Sequence, residues 1–472
     1  MSGSENNAAE VQADTQLPPT GHYLWEDPPD EDKFSACVHC GMCLESCPTY
    51  QQLGHEHQSP RGRVHVIAAV AQGKMDINEA FADPVFTCLD CRACETACPA
   101  GVEVGALIEA ARGQIRQAMP LTGWKAFVHR FFLRGIFPHP NRLHMLGRLT
   151  KFYQKSGLQT VVRKTGLKKI LPDHLAEMEE VMPAVHRPVL KTYPEKVPAK
   201  GEKKNRVAFF TGCIMDVMFA DINEATVRVL TRNGNEVAIP KQQVCCGALH
   251  VHAGDREQGK ALARKNIDTF LEADVDKIII NSAGCGCALK EYPELLRNDA
   301  EYREKAEQFA AKVEDISKYL HDTDYEKPKG RIDKRVTYHD ACHLAHGQGI
   351  RHEPRQVLQD IPGLELVELP DADRCCGSAG IYNITNPEMA GQLLDRKIDD
   401  VPDDVELISM GNPGCMLQMA VGVLKHGRRE EIVHTVQLLD WAYQQEEESS
   451  SRENGVAEHL EAPSEVAVTK EG

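Results

Sequence analysis

Eight cysteines near the beginning of the chain fall into two runs with the same spacing. Both runs have the pattern C-x2-C-x2-C-x3-C-P, and each cysteine of the second run follows its counterpart by 51 residues, at Cys37, Cys40, Cys43, Cys47 and at Cys88, Cys91, Cys94, Cys98. Three thiolates separated by two residues can wrap one face of a [4Fe–4S] cluster, while the fourth cysteine of such a run ligates the other cluster of a pair. The spacing therefore predicts an electron-carrying module with two [4Fe–4S] clusters.

The predicted ligand sets cross between the two runs. Cluster 1 is expected to be held by Cys37, Cys40, Cys43 and Cys98, and cluster 2 by Cys88, Cys91, Cys94 and Cys47. Zinc and disulfides are the competing interpretations of these positions. Both are disfavoured, because zinc sites usually use two C-x2-C pairs separated by a longer loop and disulfide frameworks belong to small secreted chains.

Another eight cysteines belong to a second duplication, which begins at about residue 206. In each copy, strand-like runs alternate with helix-like runs, and each copy contains a Cys-Cys-Gly corner. Corresponding cysteines lie 129 or 130 residues apart, at Cys213, Cys245, Cys246, Cys285 and at Cys342, Cys375, Cys376, Cys415. Alternating strands and helices predict βαβ units with a parallel sheet, and open sheets of this kind bind ligands just past the strand ends.

The four cysteines of each copy are therefore expected to meet at the sheet edge and to bind metal. The glycine after each Cys-Cys pair lets the backbone turn closely around whatever the thiolates hold. A further iron–sulfur cluster and zinc both fit this pattern, and buried structural thiols are the alternative. Cys287 is a spare thiol beside the first site. His339, His343 and His346 flank the second site, and helix-cap or core positions are the favoured interpretation of these histidines.

The charge distribution sets one basic segment against an acidic chain. The net charge of −16 argues against a nucleic-acid partner. Residues 110–172 contain no Asp or Glu but 13 Lys and Arg, which leaves −29 for the rest of the chain. In this segment Trp124, Phe127, Val128 and Phe131 fall on one helical arc. Peripheral contact with an anionic membrane and docking of an acidic partner both fit, and a linker helix whose aromatics pack on its own domain is the alternative.

The predicted fold class is α+β multidomain, with a helical ferredoxin-like two-cluster domain followed by a duplicated α/β cysteine-rich domain. The spacer between the two cysteine runs has helical composition, which favours a helical over a β-rich ferredoxin. The expected organisation is a disordered tail (1–30), the two-cluster domain (31–118), a basic helical connector and linker (119–204), the two cysteine-rich domains (205–325 and 331–445) and a disordered acidic tail (446–472).

The sequence contains no recognisable targeting or membrane-spanning segment. Its first residues lack the basic and apolar regions of a signal peptide, and it has no run of 18 apolar residues. Clustered cysteines with metal spacings fit a reducing compartment. We therefore expect a cytoplasmic protein that contacts the cytoplasmic membrane face peripherally through residues 110–172.

Together, the two sets of cysteine motifs resemble those of a known family, the iron–sulfur subunits of glycolate oxidase (glycolate dehydrogenase). The iron–sulfur subunits of anaerobic glycerol-3-phosphate dehydrogenase and of heterodisulfide reductase are similar in the same way. The resemblance extends from about Cys37 to Tyr443. It is carried by Cys-Val-His-Cys-Gly-Met-Cys at 37–43, Cys-Pro-Thr-Tyr at 47–50, Pro-Arg-Gly-Arg at 60–63, Tyr-His-Asp-Ala-Cys-His-Leu at 338–344 and Cys-Cys-Gly-Ser-Ala-Gly at 375–380.

The resemblance implies an oxidoreductase subunit that transfers electrons and has no catalytic residues of its own. A separate flavoprotein subunit would oxidise glycolate, or a related 2-hydroxy acid such as D-lactate. Electrons would then pass through this chain to a quinone or another acceptor. The sequence agrees with this division of labour, because it shows no flavin or nicotinamide fingerprint.

One departure separates the sequence from the heterodisulfide reductase branch. In that branch each repeat ends in C-x2-C, whereas here the first cysteine of the pair is replaced by Ser282 in one copy and by Asn412 in the other. A catalytic disulfide-reducing subunit is therefore less favoured than an electron-transfer subunit. A subunit of glycerol-3-phosphate dehydrogenase and a zinc-stabilised scaffold without redox function are the remaining alternatives.

Overall fold

The computed structural model describes residues 23–166 and 173–453, and the part that contains the two cysteine runs is helical. Its elements are α1 (Glu31–Ser35), α2 (Pro48–Leu53), a 3₁₀ turn (Glu56–Gln58), α3 (Pro60–Ala71), α4 (Glu79–Thr87), α5 (Ala93–Thr96) and α6 (Val104–Ala118). Helix α3 begins at Pro60 because Ser59 caps it, its hydroxyl accepting a hydrogen bond from the Gly62 N–H at 3.0 Å. Helix α6 buries Leu107 and Ile108 in the core of this segment.

The connector that follows is also helical. It comprises α7 (Gly123–His129), a π-helical turn (Arg130–Ile136), α8 (Pro140–Lys155), α9 (Leu158–Thr165) and α10 (Asp173–Glu180). None of the helices in the part of the chain that the structure describes is long and apolar enough to cross a membrane.

The first repeat contains a five-stranded sheet with the order β1-β3-β2-β4-β5, in which only β1 is antiparallel to its neighbour. The strands are β1 (Lys196–Val197), β2 (Asn205–Phe210), β3 (Asn235–Ala238), β4 (Lys277–Ile280) and β5 (Val313–Asp315). The helices are α11 (Val189–Thr192), α12 (Ile214–Met218), α13 (Ala220–Arg232), α14 (Ala248–His252), α15 (Arg256–Leu271), α16 (Ala283–Lys290), α17 (Tyr292–Leu295), α18 (Arg303–Lys312) and α19 (Ile316–Asp322). Strands β2 and β4 are apolar throughout their buried parts, as expected of parallel strands covered on both faces.

The second repeat contains a four-stranded parallel sheet with the order β7-β6-β8-β9. The strands are β6 (Lys334–Tyr338), β7 (Leu364–Val367), β8 (Leu407–Met410) and β9 (Glu431–His434). The helices are α20 (Cys342–Ala345), α21 (His352–Gln359), α22 (Tyr382–Thr385), α23 (Pro387–Asp399), α24 (Pro413–Lys425) and α25 (Thr435–Glu453). The register repeats as well, because Val207 pairs with Lys277 in the first sheet and Val336 with Leu407 in the second. The mixed α/β class and the parallel sheets expected from the sequence are confirmed.

The two repeats pack on each other through a shared apolar core. Val207 and Ile279 of the first repeat belong to the same buried cluster as Val336 and Leu407 of the second. Arg228 on α13 crosses this interface to Asp440 on α25, donating from Nη2 at 2.7 Å. The repeats therefore present their strand ends to each other in a fixed arrangement.

Some segments that the sequence assigns to tails and a linker make specific contacts. Tyr23 is fully buried, and its hydroxyl donates to the Ile67 carbonyl at 3.0 Å. Val189, in the expected linker, is also fully buried, in the core that the two repeats share. Helix α25 continues to Glu453 because Glu446 forms an ion pair with Arg232. The rest of the two expected tails, 1–22 and 454–472, lies outside the described residues.

Candidate iron–sulfur and metal sites

The two N-terminal cysteine loops have the same backbone conformation. His39 and Gly41 in the first loop have φ of 55° and 85°, and Asp90 and Arg92 in the second have φ of 54° and 65°. These left-handed residues lie between successive cysteines and turn the three thiols of each loop towards a common centre. Asp90 and Arg92 adopt this conformation without being glycine, which costs conformational energy and is typical of functional sites.

Each loop surrounds one cavity, and the fourth cysteine of each cavity comes from the other run. A cavity of about 420 Å³ is lined by Cys37, Cys40, Cys43 and Cys98. A second cavity of about 380 Å³ is lined by Cys88, Cys91, Cys94 and Cys47. Cys94 and Pro60 line both cavities and so lie between them. The structure thus brings together the two sets of four thiols that the spacing predicts.

The first turn of α3 places one arginine beside each cavity. Arg61 lines the first cavity and donates from Nη1 to the His39 carbonyl at 3.1 Å, while its other nitrogens bind Glu56 at the surface. Arg63 lines the second cavity, is 1% exposed, and lies with Nη1 3.6 Å from the Cys47 sulfur. A buried positive charge at this position offsets the negative charge of thiolate-bound metal.

The chemistry of these donor sets fits iron–sulfur clusters. Burial raises the pKa of Cys88, and burial together with neighbouring thiols raises the pKa values of Cys91 and Cys94 well above that of a free cysteine. Thiols with such values bind protons firmly unless a metal cation replaces the proton. Four thiols around one cavity, two buried and two half-buried, with Arg63 to balance their charge, are suited to a [4Fe–4S] cluster.

The four cysteines of the first repeat meet at the carboxyl ends of β2, β3 and β4. The Cys213 sulfur lies 3.5 Å from that of Cys245, and Cys246 is in hydrogen-bond contact with both Cys245 and Cys285. These contacts and burial raise the pKa values of Cys213 and Cys246. His250 on α14 lies beside Cys245, and its Nε2 bonds the Leu133 carbonyl. Sequence analysis did not identify this histidine.

The second repeat gathers its four cysteines in the same way. The Cys342 sulfur lies 4.0 Å from that of Cys375, and Cys376 is in hydrogen-bond contact with Cys375 and Cys415. All four side chains are buried. Contact with Cys375 and burial raise the pKa of Cys342. Each repeat therefore gathers its four thiols in one place, linked pairwise from the first cysteine through the Cys-Cys pair to the last.

The positions that depart from a C-x2-C ending have different roles. The Asn412 side chain accepts from the Gly284 N–H at 3.1 Å and donates to the Cys415 sulfur at 3.3 Å, so a hydrogen-bond donor replaces a fifth thiolate. Ser282 is buried at the corresponding position of the first repeat. Cys287 does not join the first site but donates to Glu291 at 3.3 Å, and burial raises its pKa to about 12.

The second cavity lies directly against the site of the second repeat. Cys91 belongs to the same buried cluster as Cys342 and Cys375, with Leu89 and Tyr382 beside them. The Tyr382 hydroxyl donates to the Thr87 carbonyl at 3.0 Å and thereby ties α22 to the second cysteine loop. The cavity of the first loop lies towards the surface, where Cys40 is exposed. The sites thus form a series from the surface to the second repeat.

A buried charged cluster, which sequence analysis missed, joins the second cysteine loop to both repeats. Arg92 donates to Glu109 on α6 at 3.3 Å, and the His252 Nδ1 lies 3.1 Å from an Asp90 oxygen. The rings of His252 and His343 stack with centroids 5.5 Å apart, and His343 Nε2 lies 3.1 Å from the Asp90 carbonyl. Burial opposes ionisation of Asp90, but Arg92 and His252 hold its pKa below the ordinary value.

The basic connector exposes an unusual amount of aromatic surface. Trp124 is 74% exposed and Phe152 is 68% exposed. The rings of Trp124, Phe127 and Phe131 stack in a row with centroids 5.1 and 6.0 Å apart. The structure thus leaves most of the aromatic arc exposed instead of packed on its own domain, although Val128 is half-buried.

Only part of the basic segment contributes to this surface. Arg112 and Arg116 donate to carbonyls of α14 and the residue after it, and Arg134 forms an ion pair with Asp255 at 2.8 Å. In contrast, several basic residues make no ion pair with any described residue, namely Lys125, Arg130, Arg148, Lys151 and Lys155. Lys168 and Lys169 lie outside the described residues.

Three family models match the chain. A "4Fe-4S dicluster domain" matches residues 33–102, and a "Cysteine-rich domain" matches residues 207–290 and 336–420. The model for "Glycolate oxidase iron-sulfur subunit, linker region" matches residues 124–182. The three matches coincide with the two cavities, the two repeats and the exposed aromatic connector.

Curated relatives cover the same regions. The "Probable glycolate oxidase iron-sulfur subunit" of Bacillus subtilis (strain 168) is 43% identical over 417 residues, which are 87% of this chain and 94% of that protein. The "Glycolate oxidase iron-sulfur subunit" of Escherichia coli (strain K12) is 34% identical over 419 residues, again 87% and 94%. The "Lactate utilization protein A" of an Exiguobacterium species is 29% identical over 236 residues, which are 50% of this chain and 96% of that protein.

Proposed function

Because the chain belongs to the family of glycolate oxidase iron–sulfur subunits, we propose that it carries electrons in a flavin-dependent dehydrogenase of glycolate or a related 2-hydroxy acid such as D-lactate. It is an iron–sulfur oxidoreductase subunit, and a flavoprotein partner oxidises the substrate. The bound clusters supply one-electron carriers, which a flavoprotein needs in order to pass on the two electrons of a hydride singly. The residues of this chain hold the carriers, balance their charge and exclude water.

The ligand assignments of the sequence analysis are part of this proposal. Cluster 1 is held by Cys37, Cys40, Cys43 and Cys98, and cluster 2 by Cys88, Cys91, Cys94 and Cys47. Metal in the two repeats is held by Cys213, Cys245, Cys246, Cys285 and by Cys342, Cys375, Cys376, Cys415. The gathering of each set around one centre supports these assignments.

The observation that carries the proposal is the contact between Cys91 and the cysteines of the second repeat. Cys91 lies in the same buried cluster as Cys342 and Cys375, so the cluster 2 ligands adjoin the ligands of the next site. A site for substrate chemistry would need an open pocket with polar groups, whereas Cys91, Cys342 and Cys375 are buried among apolar side chains such as Leu89 and Leu393. Contiguous metal ligands are what electron transfer requires.

The surface around cluster 1 is a candidate docking face for the flavoprotein. Cys40 is exposed, and the neighbouring side chains of Val38 and Met42 are 72% and 60% exposed. Exposed apolar side chains grouped around a redox site are typical of a protein interface.

The test combines the chain with its flavoprotein under anaerobic conditions. Glycolate or D-lactate should reduce the clusters within the turnover time when both proteins are present, as followed by freeze-quench EPR. Substrate without the flavoprotein should leave the clusters oxidised. Reduction by substrate in the absence of the flavoprotein, or clusters that stay oxidised in the complete complex, would contradict the proposal.

The exposed connector supports a more specific proposal, a peripheral membrane attachment through residues 110–172 that brings the chain to a quinone acceptor. Stacked aromatic rings beside unpaired Lys and Arg side chains suit the interface of an anionic membrane, where aromatics insert among headgroups and cations meet lipid phosphates. An acidic partner protein would complement the charge of the Lys and Arg side chains. It would not account for the exposed row of aromatic rings that includes Trp124 and Phe127. The lipid surface fits both features.

Flotation with lipid vesicles tests this attachment. The chain should float with vesicles containing phosphatidylglycerol but not with phosphatidylcholine alone, and binding should fall as salt rises. Replacing Lys125, Arg130, Arg148 and Lys151 by Gln, or Trp124 and Phe127 by Ser, should abolish flotation. A matched variant with four exposed bases elsewhere replaced by Gln (Lys203, Lys305, Lys329, Arg331) should float normally. Equal flotation of all variants would refute a role for the connector.

A further inference from the structure

His339 is a buried histidine without a normal hydrogen-bond partner. It follows β6 directly, has no exposed surface, and neither ring nitrogen makes a hydrogen bond of normal geometry to any described residue. The Ala372 carbonyl lies close to the ring. That carbonyl already accepts from the Asp340 N–H at 3.1 Å and from the Lys397 ammonium at 2.9 Å. The imidazole is therefore left with an unused nitrogen in the interior.

Another buried histidine of this chain shows how a structural imidazole is satisfied. His434 is 1% exposed, and its Nε2 is 2.9 Å from the Asn281 carbonyl. Its Nδ1 accepts from the Val436 N–H at 3.1 Å. Both nitrogens of His434 are thus bonded, as expected because an unpaired buried polar group is costly. His339 departs from this rule and therefore calls for a partner of another kind.

The unused nitrogen of His339 faces the thiols of the second repeat. One ring nitrogen of His339 and the sulfurs of Cys376 and Cys415 all lie within 4.8 Å of one another, and all three residues are buried. Imidazole and thiolate are the two ligand types that zinc and iron share in proteins. A ligating histidine typically points its other N–H at a carbonyl, which is the position of Ala372 here.

The first repeat provides an internal comparison. Position 210 corresponds to position 339 by the offset of 129 that relates Cys213 to Cys342. The residue there is Phe210, whose fully buried ring stacks on Phe270 with centroids 5.6 Å apart. The fold therefore accepts an apolar ring at this position, and packing alone does not require a histidine in the second repeat.

We propose that His339 is a ligand of the metal centre in the second repeat, so that the two repeats hold different centres. The first site is built from four thiolates, whereas in the second the His339 imidazole replaces one of the four proposed thiolate ligands, and Cys376 and Cys415 remain. This inference rests on the proposed function only in assuming that the repeats bind metal. Because a neutral imidazole in place of a thiolate leaves the centre less negative, an iron centre of the second repeat has the higher reduction potential.

The experiment detects metal-bound nitrogen directly. The full chain is produced with ¹⁵N-histidine, purified anaerobically, reduced, and examined by pulsed EPR for nitrogen coupled to iron. The wild type should show the coupling of an iron-bound imidazole, and His339→Phe, which copies the first repeat, should lack it. His250→Gln is the matched control, because His250 contacts a cysteine of the other repeat. That variant should keep the coupling. If the second repeat holds zinc, X-ray absorption at the zinc edge should show a nitrogen neighbour that disappears in His339→Phe.

A second variant keeps the test independent of folding. His339→Cys restores an all-thiolate set and should keep the metal while lowering the potential of an iron centre or replacing nitrogen by sulfur around zinc. Cys376→Ser identifies the metal of the second repeat as the metal that this variant loses. The proposal is overturned if that metal has no bound nitrogen in the wild type, if the nitrogen coupling survives in His339→Phe, or if Cys376→Ser loses no metal. The signals of clusters 1 and 2 report the proposed function separately, since their absence would refute that function whatever the result at His339.

Discussion

The strongest quantitative prediction concerns Arg63, which lies beside the cluster 2 ligands. Its guanidinium is buried, with Nη1 3.6 Å from the Cys47 sulfur, Nη2 2.9 Å from the Thr49 hydroxyl and Nε 2.7 Å from the Pro84 carbonyl. Burial opposes the charged form, but the thiolates of Cys88 and Cys47 outweigh it and raise the pKa of Arg63. The arginine is therefore a permanent positive charge at the cluster. It should favour the reduced state, which is more negative by one electron.

The size of the effect follows from the distance. Two unit charges about 4 Å apart interact by about 4 kcal/mol at an effective dielectric constant of about 20. Because the added electron is shared over the cluster and its four thiolates, we take roughly half of this value, about 2 kcal/mol. For a one-electron couple this energy corresponds to roughly 80 mV. Arg63→Met should thus lower the reduction potential of cluster 2 by roughly 80 mV. Arg63→Lys should change this potential much less.

The assay is an EPR-monitored redox titration of the anaerobic protein. Arg61→Met is the matched control, because Arg61 lies two residues away but its side chain is 29% exposed and paired with the exposed Glu56, so water screens its charge. That variant should change the potential of cluster 2 little. Arg63→Met should also lose stability, since the Pro84 carbonyl would lose its arginine donor at about 1–3 kcal/mol. An unchanged cluster 2 potential in an iron-replete Arg63→Met protein would refute the electrostatic argument.

Three further predictions use the same preparations. Cys91→Ser should lose about four irons per chain. The complex should then no longer deliver electrons to its acceptor, although the flavoprotein should still reduce an artificial dye. Normal quinone reduction would exclude cluster 2 from the electron path. Arg92→Gln should lower the free energy of unfolding by about 3–5 kcal/mol, because the buried Asp90 and Glu109 would lose their arginine partner, and Arg92→Lys should lose less. Equal thermal midpoints would contradict this. Burial raises the pKa of Asp315 to about 6. Protonation of this carboxyl therefore stabilises the folded state fully below about pH 4, and this stabilisation is lost as the pH rises through 6. Asp315→Asn should consequently match the wild type at pH 4 and exceed it by up to about 3 kcal/mol at pH 7, measured by unfolding at both pH values.

Much of the fold was predictable because its signals are local. The apolar runs that end near Cys213, Cys285 and Cys342 form parallel strands. This was predictable because parallel strands covered on both faces are apolar along most of their length. The short edge strands β1, β5 and β9 have two to four residues and little apolar character, so nothing in the sequence marked them. Tyr23 was assigned to a tail because its neighbours are polar, yet one buried ring with a hydroxyl partner holds that segment in place.

The candidate site was predictable to the extent that spacing determines it. The crosswise sharing of Cys47 and Cys98 follows from the cysteine pattern and agrees with the two cavities. Burial does not follow from spacing, which is why Arg61 and Arg63 appeared equivalent although only Arg63 is enclosed. The same holds for Trp124, since helical periodicity defines a face without showing whether anything covers it.

The duplications themselves reveal where the chain became specialised. The two cysteine loops share their backbone, but where the first has His39 and Gly41 the second has Asp90 and Arg92. These two charged residues project into the junction with the repeats, and there the Asp90 carbonyl lies 3.1 Å from His343. The first repeat has Ile214 at the position of His343, just as it has Phe210 at the position of His339.

The positions at which the copies differ thus converge on one place, the contact between cluster 2 and the second repeat. Symmetric halves would give two equal sites, and electrons would have no preferred route between them. When only one of the two copies has polar or charged residues at these positions, its site differs from that of the other copy in reduction potential and in hydrogen bonding. We therefore expect variants at Asp90, Arg92 and His343 to alter electron transfer from cluster 2, whereas the equivalent changes at His39, Gly41 and Ile214 should leave that step unaffected.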